Sequence, residues 1–84
     1  MPFTAYVLES ESPGRLYVGQ TSNLARRLEE HRSGRVVSTR RKGPWRVLHL
    51  WNVKTRTDAV RLERRLKAMK NPARVREAVA AARR

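Results

Sequence analysis

Apolar residues change their spacing along the chain, and each change marks an element. Phe3 to Glu9, with Tyr6, Val7 and Leu8, predicts a strand, and Arg15 to Gln20, with Leu16, Tyr17 and Val18, predicts a second. Between them Ser10-Glu11-Ser12-Pro13-Gly14 carries the Pro-Gly pair of a turn, so the two form an antiparallel hairpin. Gly19 breaks the pattern. Thr21 or Ser22 is placed to cap a helix by accepting from an orphan backbone N–H, and Leu24 with Leu28 marks that helix to about Arg32, where Gly34 ends it.

The stretch from Arg35 to Gly43 sets Arg35, Arg40, Arg41 and Lys42 among small polar residues and reads as a basic loop or short irregular helix with little core to bury. After Pro44, alternation puts Trp45, Val47, His49, Trp51 and Val53 on one face and Arg46, Leu48, Leu50 and Asn52 on the other, predicting a third strand. Its middle is apolar on both faces, which predicts a central position in the sheet. Thr55 or Thr57 caps a second helix through Ala59, Leu62, Leu66 and Met69. Asn71-Pro72 opens a third, with Val75, Ala78, Val79 and Ala82 on one stripe. The order predicts an α+β fold: a small three-stranded antiparallel sheet flanked by about three helices, as one domain over residues 1–84.

Composition then narrows the partners. The 84 residues carry 20 Lys+Arg against 7 Asp+Glu, a net charge of +13, and only Lys42, Lys54, Lys67 and Lys70 are lysine. Such a field attracts a polyanion, and arginine grips phosphate in a two-pronged fork, so nucleic acid is the expected partner. The absence of cysteine excludes a disulfide framework, a zinc finger, an iron–sulfur site and a thiol nucleophile. The amino-terminal stretch has no basic segment before an apolar run, and no apolar run reaches about 18 residues, so a soluble cytoplasmic protein with no membrane partner is expected.

Polar residues beside apolar helical stripes are the candidate chemistry. On the first helix Arg27 and His31 lie one turn apart at the edge of the Leu24–Leu28 stripe. On the second, Glu63 lies about 40° from Ala59, beside the buried row. An inward carboxylate is costly unless it is paired or binds a metal, so Glu63 either pairs with an arginine such as Arg27 or Arg64 or serves chemistry. Tyr6 and Tyr17, one on each hairpin strand, taken singly are packing residues. Trp45 and Trp51 read as core ahead of base stacking, and Asn71 as a cap.

Tyr6, ten residues, Tyr17-Val18-Gly19, then Thr21 to His31 containing Arg27, and one strand later the inward Glu63: this series resembles the GIY-YIG nuclease superfamily over nearly the whole chain. It is similar to the small stand-alone members related to the amino-terminal nuclease module of the bacterial excision-repair incision enzyme. The first family triplet, Gly-Ile-Tyr, here reads Thr4-Ala5-Tyr6. The resemblance implies the same three-stranded sheet with helices. It further implies that Tyr6 and Tyr17 face a common active-site surface, Arg27 contacts the scissile phosphate, His31 assists proton handling and Glu63 binds one divalent cation, Mg²⁺ or Mn²⁺.

The implied activity is metal-dependent endonucleolytic hydrolysis of phosphodiester bonds, DNA ahead of RNA, structure-selective and linked to repair or recombination. Hydrolysis needs an activated water and a stabiliser for charge on the phosphoryl oxygens, and a lone carboxylate suits a hard cation. Which tyrosine handles the water's proton stays open. Substrate grip is expected from Arg35, Arg40, Arg41 and Lys42 in the loop and from Arg61, Arg64, Arg65, Lys67 and Lys70 on the second helix. Arg74, Arg76, Arg83 and Arg84 extend it near the end, in contacts that read backbone more than sequence. A monomer or weak dimer, with a protein partner supplying target specificity, completes the expectation. The alternative is a non-catalytic nucleic-acid-binding module with the nuclease fold, accessory to a repair or RNA-processing complex.

Overall fold

The hairpin, the three helices and the third strand are all present in the computed structural model, which describes residues 3–11 and 15–83. In chain order the elements are β1 (Phe3–Ser10), β2 (Leu16–Thr21), α1 (Leu24–Arg32), β3 (Trp45–Val53), α2 (Arg56–Ala68) and α3 (Pro72–Ala82). The hairpin ends are closed by the Ser10 N–H donating to Arg15 O at 3.0 Å, and Ser12-Pro13-Gly14 of the expected turn lie outside the described residues. None of the described helices is long and apolar enough to cross a membrane.

The three strands form an antiparallel sheet in the order β2-β1-β3. The central strand is therefore β1, and the expectation that β3 is central is corrected. Every residue from Thr4 to Ser10 is buried, because β1 is hydrogen-bonded along both edges and covered on both faces. The apolar look of β3 on both faces has a different cause. Its register against β1 shifts between Val7, opposite His49, and Leu8, opposite Val47, so Leu48 is an extra residue and the alternation reverses there. Trp51 pairs with Ala5 on one side of the sheet. Past the bulge, Val47 pairs with Leu8 on the other. The single face expected for Trp45, Val47, His49, Trp51 and Val53 is thus split in two.

Alternation along β1 assigns the two faces. Val7 and its cross-strand neighbour Val18 join Leu66 of α2 and Val75 and Val79 of α3 in the main core, with Leu16, Leu48, Trp51, Leu62, Met69 and Ala78 packed around them. Burying a side chain such as Leu66 stabilises the fold by about 1.5–3 kcal/mol, which explains why α2 and α3 keep apolar rows despite their cationic surfaces. Tyr6 and Leu8 point to the opposite face, where α1 contributes the buried His31. Ala82, placed on the apolar stripe of α3 by spacing, is exposed.

Local signals set the helix ends. Asn23, not Thr21 or Ser22, caps α1: its side chain accepts from the Arg26 N–H at 3.1 Å, while Thr21 Oγ1 accepts from the Asn23 N–H at 3.0 Å. Thr21 is still paired with Thr4 as the last residue of β2, so its backbone is held extended and the helix starts later. Gly34 adopts a φ of 80°, the left-handed conformation that terminates α1. Thr55 caps α2 by accepting from Asp58 N–H, and Asn71 caps α3 by accepting from Ala73 N–H, with Pro72 in the first turn.

Two features escaped the sequence reading. Glu9 on central β1 is buried, and its carboxylate accepts from Arg46 of β3, with Nε at 2.8 Å, and from Arg76 of α3. Those two guanidinium groups, Arg76 before Arg46, hold the Glu9 carboxyl below the usual carboxylate range. The basic loop also buries more than expected: Thr39 is only 1% exposed. The loop is fixed to the sheet through Trp45 Nε1 donating to Thr39 O at 3.0 Å and Ser10 Oγ donating to Lys42 O at 2.6 Å.

Candidate active site

Tyr6 from the middle of β1 and Tyr17 from β2 meet on the α1 side of the sheet with ring centroids 6.3 Å apart. Tyr6 lies opposite Gly19 in the hairpin register, and its ring occupies the space that a side chain at Gly19 would need. His31, on the last turn of α1, stands edge-on to both rings, 5.8 Å from Tyr6 and 4.8 Å from Tyr17. Arg27, one turn earlier, reaches the same point. The spacing of i and i+4 on one helix face is what carries both side chains to the tyrosine pair.

Hydrogen bonds tie the group together. Tyr6 Oη lies 2.9 Å from His31 Nε2 and accepts from Arg27 Nε at 3.4 Å. Arg27 Nη1 donates to Glu30 at 3.3 Å. His31 Nδ1 lies 2.8 Å from Thr39 Oγ1. Thr39 is a residue of the site that the sequence reading missed. Nothing in its immediate neighbourhood, Ser38-Thr39-Arg40, distinguishes it from a solvated loop residue.

The two tyrosines differ in access. Tyr6 is fully buried, whereas Tyr17 is partly open to solvent and its hydroxyl makes no hydrogen bond within the described residues. Burial raises the Tyr6 phenol above its ordinary value; the bond from Arg27 opposes this, and Tyr17 and the Glu63 carboxylate add to the rise. Hydrogen bonding to Tyr6 raises the Arg27 guanidinium further above its usual range. Burial, and then the charge of Arg27, push His31 below the ordinary imidazole value against the opposing pull of Glu30. The centre therefore holds a permanent cation beside an uncharged phenol and an uncharged imidazole.

Glu63 is half-buried on α2, and its partner is Lys67, at 3.0 Å, one turn along the same helix. It pairs with neither Arg27 nor Arg64, the partners that an ion-pair reading would give it. Among the described residues no group of three His, Cys, Asp or Glu side chains could hold a metal ion by itself. Two carboxylates act on the tyrosine–histidine group, Glu30, already paired with Arg27, and Glu63, so the protein donors are few and all oxygen. That does not suit zinc, which takes three or four protein ligands. It does suit Mg²⁺ or Mn²⁺, which fill most of their coordination with water and phosphate oxygens.

The basic residues divide between two clefts and an outer face. Lys42 of the loop, Lys67 of α2, Lys70, and Arg15 just before β2 line one groove together with Tyr17; Lys70, expected on the second helix, lies past its end, with a positive φ of 54° after the cap at Met69. Arg15 was not among the expected contacts. Arg41 lines a second, more apolar cleft with Leu28, His31 and Trp45. Arg35, Arg40, Arg61, Arg64 and Arg65 are exposed, as is Arg74. Arg76 is paired with Glu9 and Arg83 donates to Leu48 O, so each is tied to the fold through part of its guanidinium. Arg84 lies outside the described residues.

Comparison with known proteins agrees with this geometry. Residues 2–76 match the GIY-YIG catalytic domain. The chain is 40% identical over 68 residues to the structure-specific endonuclease subunit SLX1 homolog of Giardia intestinalis, which covers 73% of this chain but only 19% of that protein. It is 35% identical over 63 residues to the UPF0213 protein BH0048 of Halalkalibacterium halodurans, covering 74% of this chain and 66% of the relative. The chain thus spans about a fifth of the first relative and two thirds of the second. The solution NMR structure of the UPF0213 protein BH0048 from Bacillus halodurans superimposes with a TM-score of 0.51 at 33% identity, covering 81% of this chain and 72% of that one.

Proposed function

Because the chain belongs to the GIY-YIG catalytic-domain family, whose members are nucleases, we propose that it is a divalent-metal-dependent endonuclease acting on nucleic acid, DNA ahead of RNA. The observation that carries this reading is the convergence of Tyr6, Tyr17, Arg27 and His31 from three elements on one point, with Tyr17 and Arg27 still open to a ligand.

The roles follow from access and charge. Arg27 has committed one Nε–H and one Nη1–H, and its remaining N–H groups are available to the scissile phosphate. Their attraction grows as negative charge builds on the phosphoryl oxygens, which is how a fixed donor lowers a barrier. Tyr17 Oη is the phenol an attacking water can reach, and it takes the water's proton while passing its own to solvent. The buried Tyr6 and His31 hold Arg27 in place from behind. Glu63 is the residue that would hold Mg²⁺ or Mn²⁺, giving up a helix-surface pairing to Lys67 worth only about 0.3–0.5 kcal/mol. When bound there, the cation supplies further positive charge against the phosphate.

The groove lined by Arg15, Lys42, Lys67 and Lys70 leads to Tyr17 and gives the phosphate backbone a track toward the reacting atoms. Such contacts ignore base sequence, so choice of target would rest on nucleic-acid shape or on a protein partner; the SLX1 homolog is itself named a structure-specific endonuclease subunit. A role in repair or recombination follows from that substrate class, in a monomer or weak dimer.

The test is cleavage of labelled single-stranded, duplex and branched DNA and RNA with Mg²⁺ or Mn²⁺, using Glu63→Gln as the blank. Metal-dependent cleavage by the wild-type chain alone supports the reading. Tight binding without cleavage of any substrate would leave the accessory binding module in its place.

A further inference from the structure

The hydrogen bonds around His31 continue beyond the tyrosines into the basic loop, and the donors and acceptors at their ends favour one direction. The Val36 carbonyl can only accept, and it accepts from the Arg40 N–H at 2.9 Å, the Thr39 N–H at 3.2 Å and, at the longer distance of 3.4 Å, Thr39 Oγ1. With its proton turned toward Val36, Thr39 Oγ1, which lies 2.8 Å from His31 Nδ1, is free to accept from Nδ1–H. A neutral imidazole protonated at Nδ1 has its lone pair at Nε2, which accepts from Tyr6 O–H at 2.9 Å. At the far end Arg27 Nε can only donate, so it requires a lone pair on the Tyr6 oxygen, at 3.4 Å. The buried Tyr6 proton has His31 Nε2 as its acceptor among the described residues, and one order then gives every group a partner: Arg27 to Tyr6, Tyr6 to His31, His31 to Thr39, Thr39 to Val36.

We propose that Thr39 is a positioning residue: by accepting from Nδ1–H it holds His31 in the tautomer whose Nε2 accepts from Tyr6, and so keeps the Tyr6 oxygen turned toward Arg27. Thr39 touches no reacting atom in this arrangement. Its effect passes through two buried side chains to the one that meets the phosphate. Burial gives this order its weight, since with the links reversed His31 Nε2–H would donate to Tyr6 and leave the fully buried Tyr6 proton without an acceptor among the described residues. A doubly protonated His31 would donate to both neighbours and leave the Tyr6 proton without an acceptor. The groups that face His31 are Tyr6 from β1, Tyr17 from β2, Arg27 and Glu30 from α1 and Thr39 from the loop, and burial with the nearby Arg27 keeps the ring neutral. Thr39 also lies between Ser38 and Arg40, so the segment expected to grip substrate is the one that orients the catalytic arginine.

The catalytic half of this inference rests on the nuclease reading, and the tautomer half does not. The experiment therefore measures both on the full chain. Imidazole ¹⁵N resonances at about pH 7.5, assigned with His49→Gln, report which nitrogen of His31 carries the proton. The expected wild-type state is Nδ1–H, retained in Thr39→Ser and shifted toward Nε2–H in Thr39→Val. With labelled branched DNA and Mg²⁺, Thr39→Val should lower kcat by about 10–100-fold, the usual effect of removing a group that orients a functional histidine, with KM little changed. Thr39→Ser should restore kcat. If Thr39→Val does not fold, the wild-type tautomer and the Thr39→Ser rate decide: Nδ1–H with a near-normal rate supports the inference. A wild-type His31 protonated at Nε2 or at both nitrogens overturns it, as does a Thr39→Val protein with tautomer and kcat unmoved. Should the wild type bind without cutting while its tautomer responds to Thr39 as stated, the nuclease reading fails and the positioning of His31 stands.

Discussion

The Tyr6 ring lies directly on Gly19, its partner across the hairpin: a Cβ at Gly19 would come within 2.5 Å of the Tyr6 hydroxyl oxygen and 2.6 Å of the ring carbon that bears it. The glycine is required here by the close approach of its neighbour and not by an unusual backbone. Tyr6 is fully buried, so its ring cannot swing aside without leaving His31 and Arg27. Gly19→Ala should therefore lose most cleavage activity and lower stability by about 1–3 kcal/mol, the cost of overpacking a filled site. Thermal melting and initial cleavage rates measured side by side check this. An unchanged melting temperature with normal activity would show that the tyrosine is freer than its contacts indicate.

Glu63→Gln separates chemistry from folding. Among the described residues the carboxylate pairs with Lys67 on the helix surface, so its neutral near-isostere should shift stability by no more than about 0.5 kcal/mol. Metal-dependent cleavage should vanish, while binding to nucleic acid stays intact or tightens as one negative charge is removed. A stable Glu63→Gln protein that still cuts with Mg²⁺ or Mn²⁺ would refute the metal-ligand role.

Arg27 and Arg64 belong to one class by composition and to different classes by position. Arg27 is held by Tyr6 and Glu30 beside the tyrosines, whereas Arg64 projects from the exposed side of α2. Arg27→Ala should lower the cleavage rate by on the order of 10²–10³ with a modest loss of affinity, as expected when the lost contact strengthens in the transition state. Arg64→Ala should leave the rate at saturating substrate nearly unchanged. Equal effects of the two on rate and affinity would remove Arg27 from the chemistry.

Stability should depend on pH through His31. Its folded-state value is depressed, by burial first and by Arg27 second, so below the unfolded value of about 6.5 the unfolded chain takes up a proton more readily than the folded one. The melting temperature should be flat above that pH and fall as pH drops through it. His49, depressed by burial and by Arg83, acts in the same direction. In a His49→Gln background, His31→Gln should flatten the curve between about pH 5 and 7, a window above the unfolded range of Glu9 and the other carboxylates. A profile unaltered by His31→Gln would contradict a buried, neutral His31.

The periods of two and 3.6, the caps at Thr55 and Asn71 and the stop at Gly34 are local, and each element was legible from its own residues to within a residue or two. The α+β class followed, because alternation and helical phase are written into consecutive side chains whatever lies across from them. Arg27 and His31 were legible as a pair for the same reason, since their spacing puts them on one helix face; Tyr6 and Tyr17 read singly as packing residues and stood out only through the resemblance to the GIY-YIG series. Strand order was not. An apolar middle in β3 reads alike for a central strand and for an edge strand with a bulge at Leu48, and only pairing with β1 distinguishes the two. Partners were not legible either. Glu63 sits one helical turn from Lys67, and buried Glu9 finds Arg46 and Arg76 only after strands and helices far apart in the chain have packed. Thr39 is the clearest case. Its composition and neighbours are those of a solvated basic loop, and it becomes part of the site because folding buries it and sets its hydroxyl between the Val36 carbonyl and the His31 ring.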